Sequence, residues 1–273
     1  MRTHMPKLLA GTALALAISL LAGFGSAQDK QGTFKKFLPP EAYKELVTRA
    51  AKAIEANLAA PEDEDNLRRA QAHAAMIEGY ALSAEQAGTT GVRSAASELA
   101  RLATNRSNLV RAKKLAADLA MLKGQPAAGD RIPSKYPEDI GDLMNLLKPK
   151  AKGGEGIAPA LQSNIRLKGA LNGIEEKIRA LAKKKQTDDR AASEAQELTL
   201  LGYKMAVLGE LTVFHAAPQK GKGTQKEWNE LSFQMRDSSL DMAAAASKKD
   251  AEGTFNAANK LNSTCSQCHS LFR

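Results

Sequence analysis

Apolar residues recur at intervals of three and four: Tyr43, Leu46, Val47, Ile54 and Leu58; then Leu67, Ala70, Ala74, Ile77 and Ala81; then Leu99, Leu102, Leu109 and on to Leu119. Side chains three and four apart share one face of an α-helix, so each run predicts an amphipathic helix with one apolar stripe. A shorter fourth segment follows Pro137, with Ile140, Leu143, Met144 and Leu147. No stretch alternates apolar and polar residues with a period of two. Ala, Leu, Lys, Glu and Gln dominate while β-branched and aromatic residues are sparse, which predicts an all-α chain.

The run Lys148-Pro149-Lys150-Ala151-Lys152-Gly153-Gly154-Glu155-Gly156 has the composition of an exposed flexible linker. After it the helical pattern starts again. It runs through Leu161, Ile165, Lys168, Leu171, Ile174, Ile178 and Leu181, then Leu198, Leu201, Met205 and Leu208. It continues through Trp228, Leu231, Met235 and Met242, then Phe255, Ala258, Leu261, Cys265, Cys268 and Phe272. Each half carries a Gly-Tyr pair inside its second helix, Gly79-Tyr80 and Gly202-Tyr203. Matching helix sets and this dipeptide predict two consecutive four-helix bundles, residues 28–150 and 151–273, with antiparallel neighbours joined by short connections. A single elongated helical domain is the competing arrangement.

The first residues change the compartment. Arg2 and Lys7 precede an apolar run from Leu8 to Phe24, and Gly25-Ser26-Ala27 has the small-x-small form of a signal peptidase site. Residues 1–27 therefore read as a signal peptide, with Gln28 starting an exported, periplasmic chain; uncleaved, the run would be just long enough for an anchor. Cleavage lowers the formal net charge from +9 to +7 by removing Arg2 and Lys7. The remaining lysines are scattered or sit in short linkers such as Lys183-Lys184-Lys185, which suits a solvated face. Aromatic residues are only 4% of the chain, too few for base stacking, so no nucleic-acid partner is expected.

The chain has 2 cysteines, and both fall in one pentapeptide near its end, Cys265-Ser266-Gln267-Cys268-His269. A disulfide across so short a loop would constrain almost nothing, so these residues call for a chemical explanation. On a helix, Cys265, Cys268 and His269 stand at i, i+3 and i+4 and share a face with Leu261 and Phe272. A haem of the c type needs this spacing: two thiols take the two porphyrin vinyl groups as thioethers and the adjacent imidazole reaches the iron. A thioredoxin-like couple needs a βαβ context that the pattern lacks. Structural zinc needs a fourth ligand, for which His73 and His215 are the other histidines of the exported chain. A chance occurrence of the motif is the remaining alternative.

With these residues in view, the stretch from about 157 to 273 resembles the cytochrome c-prime family, a four-helix bundle with its haem motif near the end of the last helix. The specific part is short: Cys265-Ser266-Gln267-Cys268-His269-Ser270-Leu271-Phe272-Arg273. The resemblance implies that Cys265 and Cys268 carry haem c, that His269 is the proximal iron ligand, that Arg273 lies near a propionate, and that dimers form through the first two helices. Residues 34–149 contain no cysteine, so a duplicated first bundle would have no covalent haem.

In the family the sixth iron position is often open, and relatives with a methionine on the first helix are six-coordinate. Residues 157–181 contain neither Met nor His, which predicts an open position lined by residues such as Leu161 or Ile165. Met205, Met235, Met242 and His215 are the alternative ligands, although methionines at helical spacing usually pack. The expected function is one-electron transfer with a redox partner protein, or binding of a small gas such as nitric oxide. A periplasmic haem sensor whose first bundle contacts a partner is the reading from another class. No distal His-Arg pair is identifiable, so an enzyme is not expected.

Overall fold

The computed structural model describes residues 34–84, 89–123, 136–162, 172–218 and 221–272; the expected signal peptide and Arg273 lie outside them. The described residues are helical with no strand; an isolated parallel bridge ties Leu38 to Ala84. Gly32–Arg273 forms one compact unit.

Helix α1 (Pro40–Ala59) opens with proline at its first position, where a missing N–H costs nothing. Helix α2 (Glu64–Ser83) is capped by the Asp63 carboxylate, which accepts the Asp65 N–H at 2.9 Å. The third run was expected as one helix through Leu119 but folds as two, α3 (Thr89–Leu102) and α4 (Leu109–Ala120). The reason is Asn105, whose side chain accepts the Ser107 N–H at 2.9 Å and sets up a single 3₁₀ turn over Arg106–Asn108. Asn105 thus offers the backbone a turn in place of continued helix. The chain reverses, so that α1 packs on α2, α2 on α3, α3 on α4, and α4 back on α1. The expected fourth helix is only α5 (Ile140–Asn145), resting on α2.

After Gly156 come α6 (Pro159–Gln162), α7 (Ile174–Lys183), α8 (Asp188–Val213), α9 (Gln225–Ser247) and α10 (Ala251–Phe272). The helix expected across Leu161–Leu181 is described as α6 and α7, with residues 163–171 outside the description. Helix α8 packs on α9, α9 on α10, and α10 on α7. Two buried ion pairs add cross-links: Lys177 on α7 with Glu194 on α8 at 2.5 Å, and Glu210 on α8 with Arg236 on α9 at 2.8 Å.

Helices α2 and α8 are buried all round over residues 70–83 and 204–213, the pattern of helices at the centre of a core. They meet where Gly79 leaves no room for a side chain: a Cβ there would stand 2.6 Å from Val207. Gly202 serves a different crossing, with the backbone of Ala243 and Ser239 on α9 only 2.8 Å from where its Cβ would be. The two Gly-Tyr pairs therefore occupy unlike positions, one joining the first helices to α8 and the other joining α8 to α9. The buried apolar cluster extends without interruption from Phe34 to Phe272. Among the described residues, no helix is long and apolar enough to cross a membrane.

Candidate functional site

The motif lies on the last two turns of α10, and both ends of that helix are fixed. At the start, the Asp250 carboxylate accepts the Gly253 N–H at 2.9 Å as a cap. At the end, the Leu271 carbonyl accepts N–H groups from Lys222 at 2.7 Å and Gly223 at 3.3 Å. A helix leaves its last carbonyls unpaired, and here a loop supplies donors. Phe272 is 7% exposed and meets Trp228 edge to face, with centroids 5.1 Å apart. A Cβ at Gly223 would collide with the Phe272 ring, so glycine is what lets the loop close over it. Trp228 is itself tied to α8, donating from Nε1 to the Thr212 carbonyl at 2.8 Å.

Cys265, Cys268 and His269 are each half-buried, at the border between the core-facing side of α10 and solvent. No disulfide joins the cysteines. Burial pushes the Cys265 thiol up to about 12, and the charges of Glu175 and Cys268 add to the effect while Arg179 opposes it. The first turn of α7 faces the motif: Glu175 Oε1 is 3.5 Å from His269 Nε2, with the two side chains 22% and 33% exposed. That turn is anchored by the Ile174 N–H, which donates to the Leu147 carbonyl at 2.8 Å. Deeper in α7, burial lowers the Lys177 ammonium while Glu194 opposes it. Glu194 also accepts from Gln186 at 2.7 Å and Arg190 at 3.1 Å, a fully engaged buried carboxylate.

No protein-family model, curated protein or solved structure matches this chain.

The structure brings three of the four expected site residues together, on one side of α10 against α7; the fourth, Arg273, lies outside the described residues. Among the described residues, no three His, Cys, Asp or Glu side chains form a group able to hold a metal ion, so the two thiols and the imidazole do not converge on one ion-sized point. The motif follows helix rather than strand, unlike a thioredoxin-type couple.

The alternative iron ligands are placed elsewhere. Met205, Met235 and Met242 are core side chains, at most 8% exposed. Both ring nitrogens of His215 face backbone carbonyls at 3.0 Å, those of Leu211 and Pro137. His73 is buried on α2. Leu161 is buried and lines a cavity of about 50 Å³ with Leu46, Tyr80, Ile174 and Leu201. Ile165 lies outside the described residues. Sequence reasoning missed Glu175, Arg179 and the clamp of Gly223, Trp228 and Phe272. The aromatic at Phe272 and the glycines at 221 and 223 were visible signals for the clamp; nothing local marked Glu175.

Proposed function

We propose that Cys265 and Cys268 bind one haem c through two thioether bonds, with His269 as its axial ligand, in an exported c-type cytochrome. The observation that carries this reading is the donor set itself: two half-buried thiols and an imidazole spread over adjacent turns of a fixed helix end. Donors that do not converge suit a wide planar group better than a single ion. Each attachment adds a thiol S–H across a vinyl C=C, forming one S–C bond and one C–H bond with no net gain or loss of electrons. When bound, the iron supplies a one-electron couple or a gas-binding position. The protein's own part is to hold the two sulfurs and the imidazole in register, to back them with Leu271 and Phe272, and to set Glu175 and Arg179 beside them.

In this reading the ring of α1–α4 is a haem-free bundle over residues 28–150. Helices α6 to α10 form the second bundle over residues 151–273, and it is similar to cytochrome c-prime. One-electron transfer, or binding of a small gas such as nitric oxide, is the function we favour. A sensor remains the second reading, because α2 packs directly on α8 and so ties the first helices to the haem-bearing set.

Expression with a c-type maturation system tests the proposal by intact mass and by absorption spectra, oxidised, reduced and reduced with carbon monoxide. Wild type should carry covalent haem, Cys265→Ala and Cys268→Ala should each lose one thioether, and His269→Ala should alter the iron spectrum. Absence of covalent haem in wild type would overturn the reading. A carbon monoxide shift would indicate an open iron and a gas role, and indifference would indicate a sixth protein ligand and electron transfer.

A further inference from the structure

We infer that the cavity where the two helix sets meet is a binding site for a small aliphatic carboxylate, the size of acetate or propionate, with Glu155 as an internal stand-in for the ligand's carboxylate. The inference does not depend on the haem reading, since none of Cys265, Cys268 and His269 lines this cavity. Its walls come from α1, α2 and α8 and from the chain between Glu155 and Leu161, so the site exists only where both sets are folded together. Arg49 and Glu155, with side chains 36% and 28% exposed, mark its mouth.

The floor carries two polar groups, Lys204 on α8 and Tyr80 on α2, which are 8% and 1% exposed. Lys204 Nζ donates to Glu155 Oε2. Among the described residues the Tyr80 hydroxyl has no hydrogen-bond partner, although a buried phenol ordinarily finds one. The Arg49 charge acts on both Tyr80 and Lys204, which puts both near it. Burial, aided by that charge, draws the Lys204 ammonium down to about 7, so a carboxylate beside it favours the charged form at neutral pH. Arg49 itself is taken: two of its nitrogens donate to Glu197 at 2.7 and 2.8 Å. What the floor offers is one ammonium and one hydroxyl, a donor for each oxygen of a single carboxylate.

The remaining walls are hydrocarbon, with Leu46, Leu161 and Leu201 among them, and suit a short alkyl end. The cavity of about 50 Å³ compares with roughly 10 to 15 Å³ for one water, which leaves room for about four heavy atoms. Phosphate or sulfate suits it less, because acceptors on every side of the ion would face leucine and go unpaired. Glu155 is the group that can yield. It lies on no helix, between Gly154 and Gly156, whereas Lys204 is fixed midway along α8 and cannot follow it outwards. When the Glu155 carboxylate swings into water, the incoming one takes its place on Lys204 while Glu197 stays with Arg49.

Isothermal titration of the full chain with sodium propionate tests this, with sodium chloride and inorganic phosphate at equal ionic strength as controls. Wild type should bind propionate saturably, and Glu155→Gln about tenfold more tightly because the internal competitor is gone. Tyr80→Phe should weaken binding about fivefold through the lost hydroxyl alone. Lys204→Met should abolish it, and circular dichroism reports whether that variant keeps its helices; if it does not, Glu155→Gln and Tyr80→Phe decide the matter. No binding of propionate by wild type and by Glu155→Gln would overturn the inference, as would a Glu155→Gln variant that binds no more tightly than wild type. Equal heats with chloride would reduce the effect to ionic strength and overturn it too. Tighter binding of phosphate than of propionate would make this an inorganic-anion site and overturn the assignment to a carboxylate.

Discussion

At His73 the fold makes a choice about protons. Only 4% of the residue is exposed, and burial, aided by the charges of Lys204 and Arg69, lowers its folded value from 6.5 to about 3. Above pH 6.5 the ring is neutral in both states and contributes no pH dependence. Below it the unfolded chain takes a proton that the folded chain refuses, so stability falls as pH drops from 6.5 towards about 3. The expected slope is at most about 1.4 kcal/mol per pH unit. Urea denaturation of wild type and His73→Leu across this range checks it, and the variant should show the shallower dependence. The same residue illustrates what was legible. A histidine among alanines reads as packed or superficial from sequence, and only the α2–α8 crossing decides that it is packed.

Between elements, the decisive contacts are made by residues with little side chain. A methyl group at Gly202 would meet the α9 backbone at Ala243 and Ser239, whereas one at Gly79 would meet the movable ends of Val207 and Leu211. Gly202→Ala should therefore destabilise by about 1 to 3 kcal/mol, since a whole helix must shift. Gly79→Ala should cost less than Gly202→Ala, because the Val207 and Leu211 side chains can turn aside where the α9 backbone cannot, while the helix-propensity gain of about 1 kcal/mol is common to both. Thermal unfolding of the two variants side by side is the check. Helix positions were readable because a stripe of Leu, Ile and Ala depends only on local periodicity. The split between α3 and α4 was not, because one Asn105 side chain outweighs an apolar spacing that continues past it. Glu175 was unreadable for a different reason. Its partner His269 is remote in sequence, and an acidic residue in the first turn of α7 already has a local explanation as a helix-dipole partner.

Across the whole molecule, the halves expected from the lysine-glycine linker share one buried core. Removing residues 28–150 would strip α2 from α8 and leave Val207 and Leu211, each at most 2% exposed, facing water. The intact chain should accordingly unfold in one cooperative transition, with far-ultraviolet circular dichroism and Trp228 fluorescence giving coincident curves. Two separated curves would mean that the helix sets melt independently. Truncation thus perturbs the second set as well as removing the first, and point variants at the Gly79 crossing separate carrier from sensor more cleanly.

Trp228 has one further consequence. It is the only tryptophan in the chain, and it touches Phe272, four residues beyond Cys268. An indole so close to a strongly absorbing porphyrin would hand its excitation over rather than emit. On the haem reading proposed above, Trp228 would therefore gauge maturation: bright when the protein is made without haem, dark once it is loaded, with the dim fraction giving occupancy directly and no label required.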